Sequence, residues 1–160
     1  MGAKNLSANS KSSFSCSLIE ENFPIEGGCA CGNVRYKING PWDLGFKCHC
    51  RDCQRSSGSA YAAILVIDED KIHICGGLQF YTSIGDSGRD VNRGFCAICG
   101  NYVIVKIFIL DSKLGIYAPT LDDPSLYWPE ISVYTSSKQE WDSLPEGIKI
   151  YPKLRSDHTG

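Results

Sequence analysis

The chain contains 160 residues, of which 42% are hydrophobic and 21% are charged, values typical of a soluble globular protein. Its net charge of −2 offers no electrostatic basis for binding nucleic acid or a membrane surface. The longest apolar run, residues 101–110, is interrupted by Lys106 and is too short to span a bilayer. The N-terminus lacks the apolar segment of a secretory signal, so the sequence favours a cytoplasmic protein.

Residues 1–22 are rich in serine and asparagine and show no hydrophobic period, which predicts a flexible N-terminal extension. Residues 23–151 contain no repeat or linker and are expected to form a single β domain, followed by a loose end at 152–160. Runs rich in valine, isoleucine and aromatic residues predict strands at 33–38, 61–67, 71–75, 78–83, 91–95, 101–110 and 114–118.

Helical signal is thin in this sequence. One short helical turn is expected after Cys50 and another at 122–126. The C-terminal stretch that begins at Tyr127 predicts one more strand and then a loop anchored by Trp141. The sequence therefore predicts a mainly β protein with very little helix.

The nine cysteines carry most of the chemical information. An odd count and a reducing cytoplasm argue against a disulfide framework. Cysteines one or two residues apart rarely bridge each other, so close groups indicate metal or redox sites. Seven of the nine form such groups: Cys29 with Cys31, Cys48 with Cys50 and Cys53, and Cys96 with Cys99. The two isolated ones, Cys16 and Cys75, are expected to be a tail thiol and a small buried side chain.

Two of these groups together can supply the four ligands of one metal site. Cys29, Cys31, Cys96 and Cys99, which we call the cysteine tetrad, can converge into a closed four-thiolate zinc site of structural type. Zinc there would tie the first strand to the middle of the sheet, with a coupled folding free energy of about 10 kcal/mol. The alternative, a redox pair of Cys96 and Cys99, is disfavoured because the sequence lacks a βαβ pattern.

The remaining group, Cys48, Cys50 and Cys53, is the cysteine triad, and His49 lies inside it. His49 either completes a four-ligand site or points away and leaves three thiolates with an open position. Because neighbouring side chains of an extended segment point to opposite sides, we expect His49 to face away as an ordinary loop histidine. The triad is then an open metal site.

An open position is typical of a catalytic zinc rather than a structural one. Three thiolates leave the ion with a net charge of −1, which lowers its Lewis acidity and suits it to a soft incoming ligand. A substrate thiol bound there would lose its proton at neutral pH. The triad therefore predicts a small-molecule thiol as the substrate.

Three segments carry a family resemblance: "GGCACGNVRY", "CHCRDCQRSSGSAY" and "RGFCAICGNYV". In this order they resemble the glutathione-dependent formaldehyde-activating enzyme family, whose domain is shared with centromere protein V. The resemblance covers about residues 26–145 and implies a β-tent fold of packed antiparallel sheets. It also implies two zinc ions per chain, a structural one on the tetrad and a second one on the triad. The implied activity is that of a carbon–sulfur lyase, which joins glutathione and formaldehyde reversibly as S-hydroxymethylglutathione.

One position departs from the family pattern. Members often carry a histidine at the start of the last strand, where this chain has Glu130, so a different substrate is plausible if that position shapes the pocket. Four cations near the metal ligands in sequence are candidates for holding the carboxylates of glutathione: Lys47, Arg51, Arg55 and Arg93. The serines at 56, 57 and 59 are expected either to line the pocket or to form a turn.

Two other functions compete with an enzyme of this type. A non-catalytic, zinc-stapled module that binds a protein partner is the alternative, because the centromere relatives share the domain. Against it, this chain lacks a long basic arm. A methionine sulfoxide reductase-like enzyme is disfavoured, since it needs a nucleophilic cysteine late in the domain and no cysteine follows Cys99.

Overall fold

The computed structural model describes residues 23–86, 88–107 and 111–154. The predicted extension at 1–22 lies outside these residues, as do Cys16, positions 108–110 of the predicted strand 101–110, and the last six residues of the predicted loose end. No helix in the described ranges is long and apolar enough to cross a membrane.

The described ranges form eleven strands and one α-helix. The helix α1 spans Arg51–Ser57 and begins directly after Cys50, as predicted. Short 3-10 turns occur at Glu69–Lys71, Ala118–Thr120, Pro124–Leu126 and Thr135–Ser137, the third of them within the predicted turn at 122–126. The strands are β1 Ile25–Gly28, β2 Arg35–Ile38, β3 Leu44–Cys48, β4 Ala62–Asp68, β5 Ile72–Cys75, β6 Leu78–Ile84, β7 Asp90–Cys96, β8 Tyr102–Ile107, β9 Lys113–Tyr117, β10 Ile131–Val133 and β11 Lys149–Ile150.

The prediction of a mainly β fold built of packed sheets is confirmed. A small sheet has the order β1-β2-β5, and a large one has the order β11-β10-β3-β4-β9-β8-β7-β6. Pairing is antiparallel except at β10, which runs parallel to both β3 and β11. Strands β1, β3 and β11 were not predicted. Their sequences IEGG, LGFKC and KI are short, and the first two contain glycines, which are depleted in strands.

The large sheet is apolar on both faces. Along β4, Leu65 and Ile67 pack into the main core between the two sheets, together with Tyr36 and Ile38 of the small sheet. Ile64, which alternates with them, belongs to a second apolar cluster on the opposite face. A third cluster continues that opposite face towards β10 and the cysteine triad. Burial on both faces explains why β4 reads as an uninterrupted hydrophobic run.

Strand register aligns one row of residues across the opposite face. Leu44 pairs with Val66, Val66 with Gly115, Gly115 with Val105, and Val105 with Arg93. A methyl group at Gly115 would lie 2.7 Å from side-chain carbons on each of two neighbouring strands. Glycine therefore allows the side chains of β4 and β8 to approach each other at the centre of this face.

Two expectations about single residues are wrong. Cys75 is exposed, because β5 alternates and turns Ile72 and Ile74 towards the core while His73 and Cys75 face outward. Trp141 is 74% exposed, so it does not anchor its loop. The neighbouring Asp142 is largely buried instead, and its Oδ2 lies 3.5 Å from Nδ1 of His49.

Candidate functional site

The cysteine tetrad is brought together as predicted. All four sulfur atoms lie within 4.8 Å of one another. The Sγ atoms of Cys29 and Cys31 are 3.5 Å apart, and those of Cys31 and Cys96 are 3.7 Å apart. Tetrahedral zinc with Zn–S bonds of about 2.3 Å requires S···S separations of about 3.8 Å, so the donor set fits this ion.

Backbone N–H groups donate to two sulfur atoms of the tetrad. The backbone N–H of Val34 donates to Cys29 Sγ at 3.2 Å, and that of Ile98 donates to Cys96 Sγ at 3.4 Å. Hydrogen bonds from the backbone, chiefly from Cys99, lower the pKa of Cys96 to about 6. Gly100 adopts φ = 73°, which closes the turn behind Cys99 at little steric cost.

The position of the tetrad differs in one respect from the expectation. Cys29 and Cys31 lie between β1 and β2 of the small sheet, whereas Cys96 ends β7 and Cys99 lies in the β7–β8 turn of the large sheet. The group thus connects the two sheets near the β6 edge rather than at the middle of the large one. This edge contributes few residues to the main core, so a metal ion held by the tetrad would stabilise the fold where packing is thin.

The cysteine triad also comes together, with its three sulfur atoms within 4.8 Å of one another. Cys48 ends β3, and Cys50 is the N-cap of α1. The sulfur of Cys50 accepts a 3.4 Å hydrogen bond from the N–H of Cys53. Hydrogen bonds from the Cys48 and Cys53 thiols lower the pKa of Cys50 to about 2. A group that holds one thiolate so readily, on three converging sulfurs, fits a soft cation such as zinc.

His49 faces away from the triad. Its ring is fully buried, lies 5.4 Å from the Tyr61 ring, and places Nδ1 3.5 Å from Asp142 Oδ2. Burial lowers the pKa of His49, which favours the neutral imidazole. The group that could hold a metal ion therefore consists of three cysteines, and the histidine points away from it, as the alternation of side chains predicted.

The triad opens into a cavity of about 450 Å³, which we call the sheet pocket. Its walls are the opposite face of the large sheet, and the N-terminal end of α1 closes it at the triad. Apolar side chains dominate the lining: Leu44, Phe46, Ile64, Val66, Val91, Val105, Ile131 and Val133. Charged side chains also reach it, namely Asp43, Asp52, Asp86, Arg93, Lys113 and Glu130.

A smaller cavity of about 230 Å³, the arginine cavity, adjoins the sheet pocket. Asp52 and Arg93 line both cavities, so these two residues separate them. The arginine cavity is more polar, and Arg55, Ser56, Tyr81, Ser83 and Tyr102 complete its lining.

Arg93 is a buried cation that faces the cysteine triad and pairs with no carboxylate of the described residues. Only 4% of the residue is exposed, and no carboxylate in the described part of the chain lies within 4.0 Å of its guanidinium. Its Nη1 donates to Ser83 Oγ at 2.7 Å, while Nε has no hydrogen-bond partner among the described residues. Burial opposes its charge, yet negative charge on Cys53 raises the pKa of Arg93 above its ordinary value. A buried guanidinium is costly unless it faces an anion.

The other three predicted cations are placed differently. Lys47 is buried with its ammonium 4.0 Å over the Tyr61 ring, and it lines neither cavity. Arg51 is exposed and donates to Gln54. Arg55 lines the arginine cavity and lies 3.7 Å from Asp52. Of the four candidates, the structure brings Arg93 to the triad and Arg55 to the cavity beside it.

Tyr117 is a site residue that the sequence did not single out. Its hydroxyl lies 3.1 Å from Ser56 Oγ, and its ring lines the sheet pocket. Burial raises the pKa of Tyr117 to about 12, so the phenol keeps its proton at neutral pH. It resembled any strand aromatic in the sequence, because only the pairing of β4 with β9 brings it to the triad.

Glu130, the departure from the family pattern, lines the sheet pocket. Its side chain is exposed, and its Oε1 accepts a 3.3 Å hydrogen bond from the N–H of Gly45. The position that differs from the family therefore contributes a carboxylate to this cavity.

Comparison with known proteins agrees with this site. The family model described as glutathione-dependent formaldehyde-activating enzyme matches residues 24–137, a range that includes every cysteine of the tetrad and the triad. A Halomonas elongata protein named "Putative glutathione-dependent formaldehyde-activating enzyme" is 26% identical over 129 residues, which cover 73% of this chain and 78% of that protein. A crystal structure of a Rhodobacter sphaeroides protein shares the fold, with a TM-score of 0.50 at 17% identity, and covers 79% of this chain and 99% of that one.

Proposed function

This chain belongs to the glutathione-dependent formaldehyde-activating enzyme family, and on that premise we propose that it is a zinc-dependent carbon–sulfur lyase. Its substrate is a thiol–aldehyde adduct, with glutathione as the thiol and S-hydroxymethylglutathione as the reference compound. The observation that supports this most directly is the cysteine triad at the end of a cavity of about 450 Å³. Three converging sulfurs that open into a cavity match a catalytic zinc site rather than a closed structural one.

We assign two zinc ions to each chain. The tetrad would hold the structural ion, which cross-links the two sheets, and the triad would hold the ion at the sheet pocket. Zinc bound by Cys48, Cys50 and Cys53 would supply a position at which a substrate thiol is held as a thiolate.

The reaction itself is a simple addition and its reverse. In the forward direction the thiol gives up its proton, its sulfur bonds to the carbonyl carbon, the C=O π electron pair moves onto oxygen, and that oxygen takes up a proton. In the reverse direction the hydroxyl loses its proton, the C=O bond re-forms, and the C–S electron pair leaves with sulfur, which regains a proton on release as the thiol. Tyr117 remains protonated at neutral pH and can donate a hydrogen bond to the oxygen that gains charge. Ser56, 3.1 Å from that hydroxyl, holds it in position.

Arg93 supplies the positive charge of the site. Its guanidinium is buried between the triad and the arginine cavity and lacks a carboxylate partner among the described residues. Such a cation offsets the negative charge of the triad and can bind one carboxylate of glutathione from the arginine cavity. Arg55, at the rim of the same cavity, is the second candidate, whereas Lys47 and Arg51 lie outside both cavities.

Metal analysis combined with glutathione titration tests this proposal. We expect two zinc ions per chain and measurable glutathione binding by calorimetry. In Cys50→Ser the second zinc and the glutathione binding should both be lost while the fold persists, because serine is itself a good N-cap for α1. Cys75→Ser, an exposed cysteine outside both groups, is the matched control and should behave like the unmodified protein.

The alternative function predicts a different result. A non-catalytic binding module would contain one zinc ion, or two zinc ions without measurable glutathione binding. Any glutathione binding that remained would then be the same in Cys50→Ser as in the unmodified protein. Either result would overturn the lyase proposal.

A further inference from the structure

The sheet pocket is far more apolar than glutathione or formaldehyde requires. Valine, isoleucine and leucine side chains from five strands form one continuous wall, represented by Leu44, Ile64, Val91, Val105 and Val133. An exposed sheet face that only meets water is normally polar, so a concave apolar wall of this kind indicates an apolar ligand.

The wall is continuous with the cysteine triad. Val133 pairs directly with Cys48, and Ile131 pairs with Phe46 two residues earlier on the same strand. Cys48, Cys50, Ile131 and Val133 also form one buried apolar cluster. A ligand whose sulfur lies at the triad would therefore extend its next few atoms along apolar side chains.

The charged residues that line the sheet pocket argue against binding of a glutathione carboxylate there. Asp43, Asp52, Asp86 and Glu130 all line the sheet pocket. Of its two cations, Lys113 already lies 2.7 Å from Asp43, while Arg93 faces the triad and the arginine cavity. The charged part of glutathione thus fits the arginine cavity, and the sheet pocket is left for an uncharged group.

The volume of the sheet pocket is much larger than that of a one-carbon aldehyde. A water molecule occupies about 30 Å³ in the liquid, and formaldehyde has only two heavy atoms. A volume of about 450 Å³ lies in the range of ordinary small-molecule sites. Formaldehyde would leave most of this wall without a partner.

We propose that the aldehyde handled at this site carries an apolar group of several carbons, which binds along the valine- and isoleucine-rich wall of the sheet pocket beside the cysteine triad. The inference rests on the proposed thiol–aldehyde chemistry and names its substrate class. The adduct is then a glutathione S-(1-hydroxyalkyl) conjugate rather than the hydroxymethyl compound. Its glutathione part lies towards Arg93, and its alkyl or aryl part lies against Val105 and its neighbours.

Stable thioethers test the wall separately from the chemistry. S-methyl-, S-butyl- and S-octylglutathione cannot react, and their affinities for the purified, metal-loaded protein can be measured by calorimetry. Each buried methylene contributes about a fourfold gain in affinity. We expect S-butylglutathione to bind at least ~10-fold more tightly than the methyl compound, with a further gain for octyl. Equal affinities across the series would overturn the inference.

A second series of compounds identifies which part of the adduct the protein recognises. Octyl and methyl 2-hydroxyethyl sulfides carry the same alkyl groups without glutathione. A chain-length gain in both series supports the apolar wall. If the two octyl compounds bind equally well, the wall stands and the glutathione assignment of the proposed function fails. If S-methylglutathione binds and cleavage of its hydroxymethyl analogue is observed without any chain-length gain, the proposed function stands and this inference fails.

A matched pair of variants locates the alkyl group. Val105→Thr places a hydroxyl in the wall with little change of shape, whereas Val103→Thr on the same strand alters the main core between the sheets. We expect Val105→Thr to reduce the octyl-over-methyl preference at least ~3-fold and Val103→Thr to leave it unchanged. An unchanged preference in folded Val105→Thr would contradict the placement.

Discussion

Replacing Arg93 with methionine should separate substrate binding from folding. Arg93 is 4% exposed, and no carboxylate of the described residues lies within 4.0 Å of its guanidinium. The negative charge that it faces belongs to the cysteine triad at the proposed binding site, and no carboxylate pair ties it to the rest of the fold. Methionine has a similar length and no charge, so it fills the same space between the two cavities.

The expected magnitudes follow from the contacts of Arg93. Removing a charge-assisted hydrogen bond to a ligand carboxylate costs about 1.5–3 kcal/mol, which corresponds to a loss of glutathione affinity of about 10- to 150-fold. The variant also loses the 2.7 Å hydrogen bond to Ser83, worth about 1 kcal/mol, but it no longer buries a charge. We therefore expect the free energy of unfolding to change by no more than about 1 kcal/mol.

Calorimetric titration with glutathione and denaturant unfolding at fixed zinc concentration measure the two effects. Arg51→Met is the matched control, because that side chain is exposed and lines neither cavity, and it should change neither quantity. Unchanged glutathione affinity in Arg93→Met would refute the role of this cation. A loss of several kcal/mol of stability would equally refute the reasoning, since it would make Arg93 a structural residue.

Three further predictions concern the tetrad, the pocket wall and the proton donor. Cys96→Ser should lose the structural zinc and unfold at ambient temperature, because the coupled free energy of about 10 kcal/mol is comparable to the whole stability of a domain. Cys75→Ser should keep the melting temperature of the unmodified protein. A folded, zinc-replete Cys96→Ser would contradict this prediction. Gly115→Ala should lower the free energy of unfolding by about 1–3 kcal/mol, because its methyl group would lie 2.7 Å from carbons on two strands. The control Gly77→Ala has no neighbour closer than 3.6 Å and should cost less than about 1 kcal/mol. Equal denaturation midpoints for the two variants would refute the close approach. Tyr117→Phe should reduce kcat/KM for adduct cleavage by about 100-fold with little change in melting temperature, and an undiminished rate would remove the hydroxyl from the mechanism.

Local chemistry could be predicted from local sequence. The spacing of Cys48, Cys50 and Cys53 places three sulfurs on one short segment, and the structure brings them within 4.8 Å of one another. The same alternation of side chains correctly turned His49 away from them. Helix α1 followed Cys50 as expected, because its start depends on a cap and a few neighbouring residues.

Predictions that depended on the environment of a single residue were less successful. Lys47 and Arg51 stand as close to the triad in sequence as any cation, yet one packs on Tyr61 and the other faces solvent. Trp141 suggested an anchor and is 74% exposed, whereas Asp142 beside it is largely buried. Proximity in sequence says little about which side of a strand or helix a long side chain will occupy.

The sequence by itself determined the cysteine groups that could hold metal ions, the family and the β character, because cysteine spacing and period-two alternation are read within a few residues. Tertiary structure decided which face of the large sheet became the cavity, since both faces of β4 are equally apolar in sequence. It also brought Arg93 of β7, Tyr117 of β9 and Glu130, which precedes β10, to the lining of one cavity. These positions meet through strand pairings between distant segments, and such pairings depend on the packing of the whole sheet rather than on any local pattern.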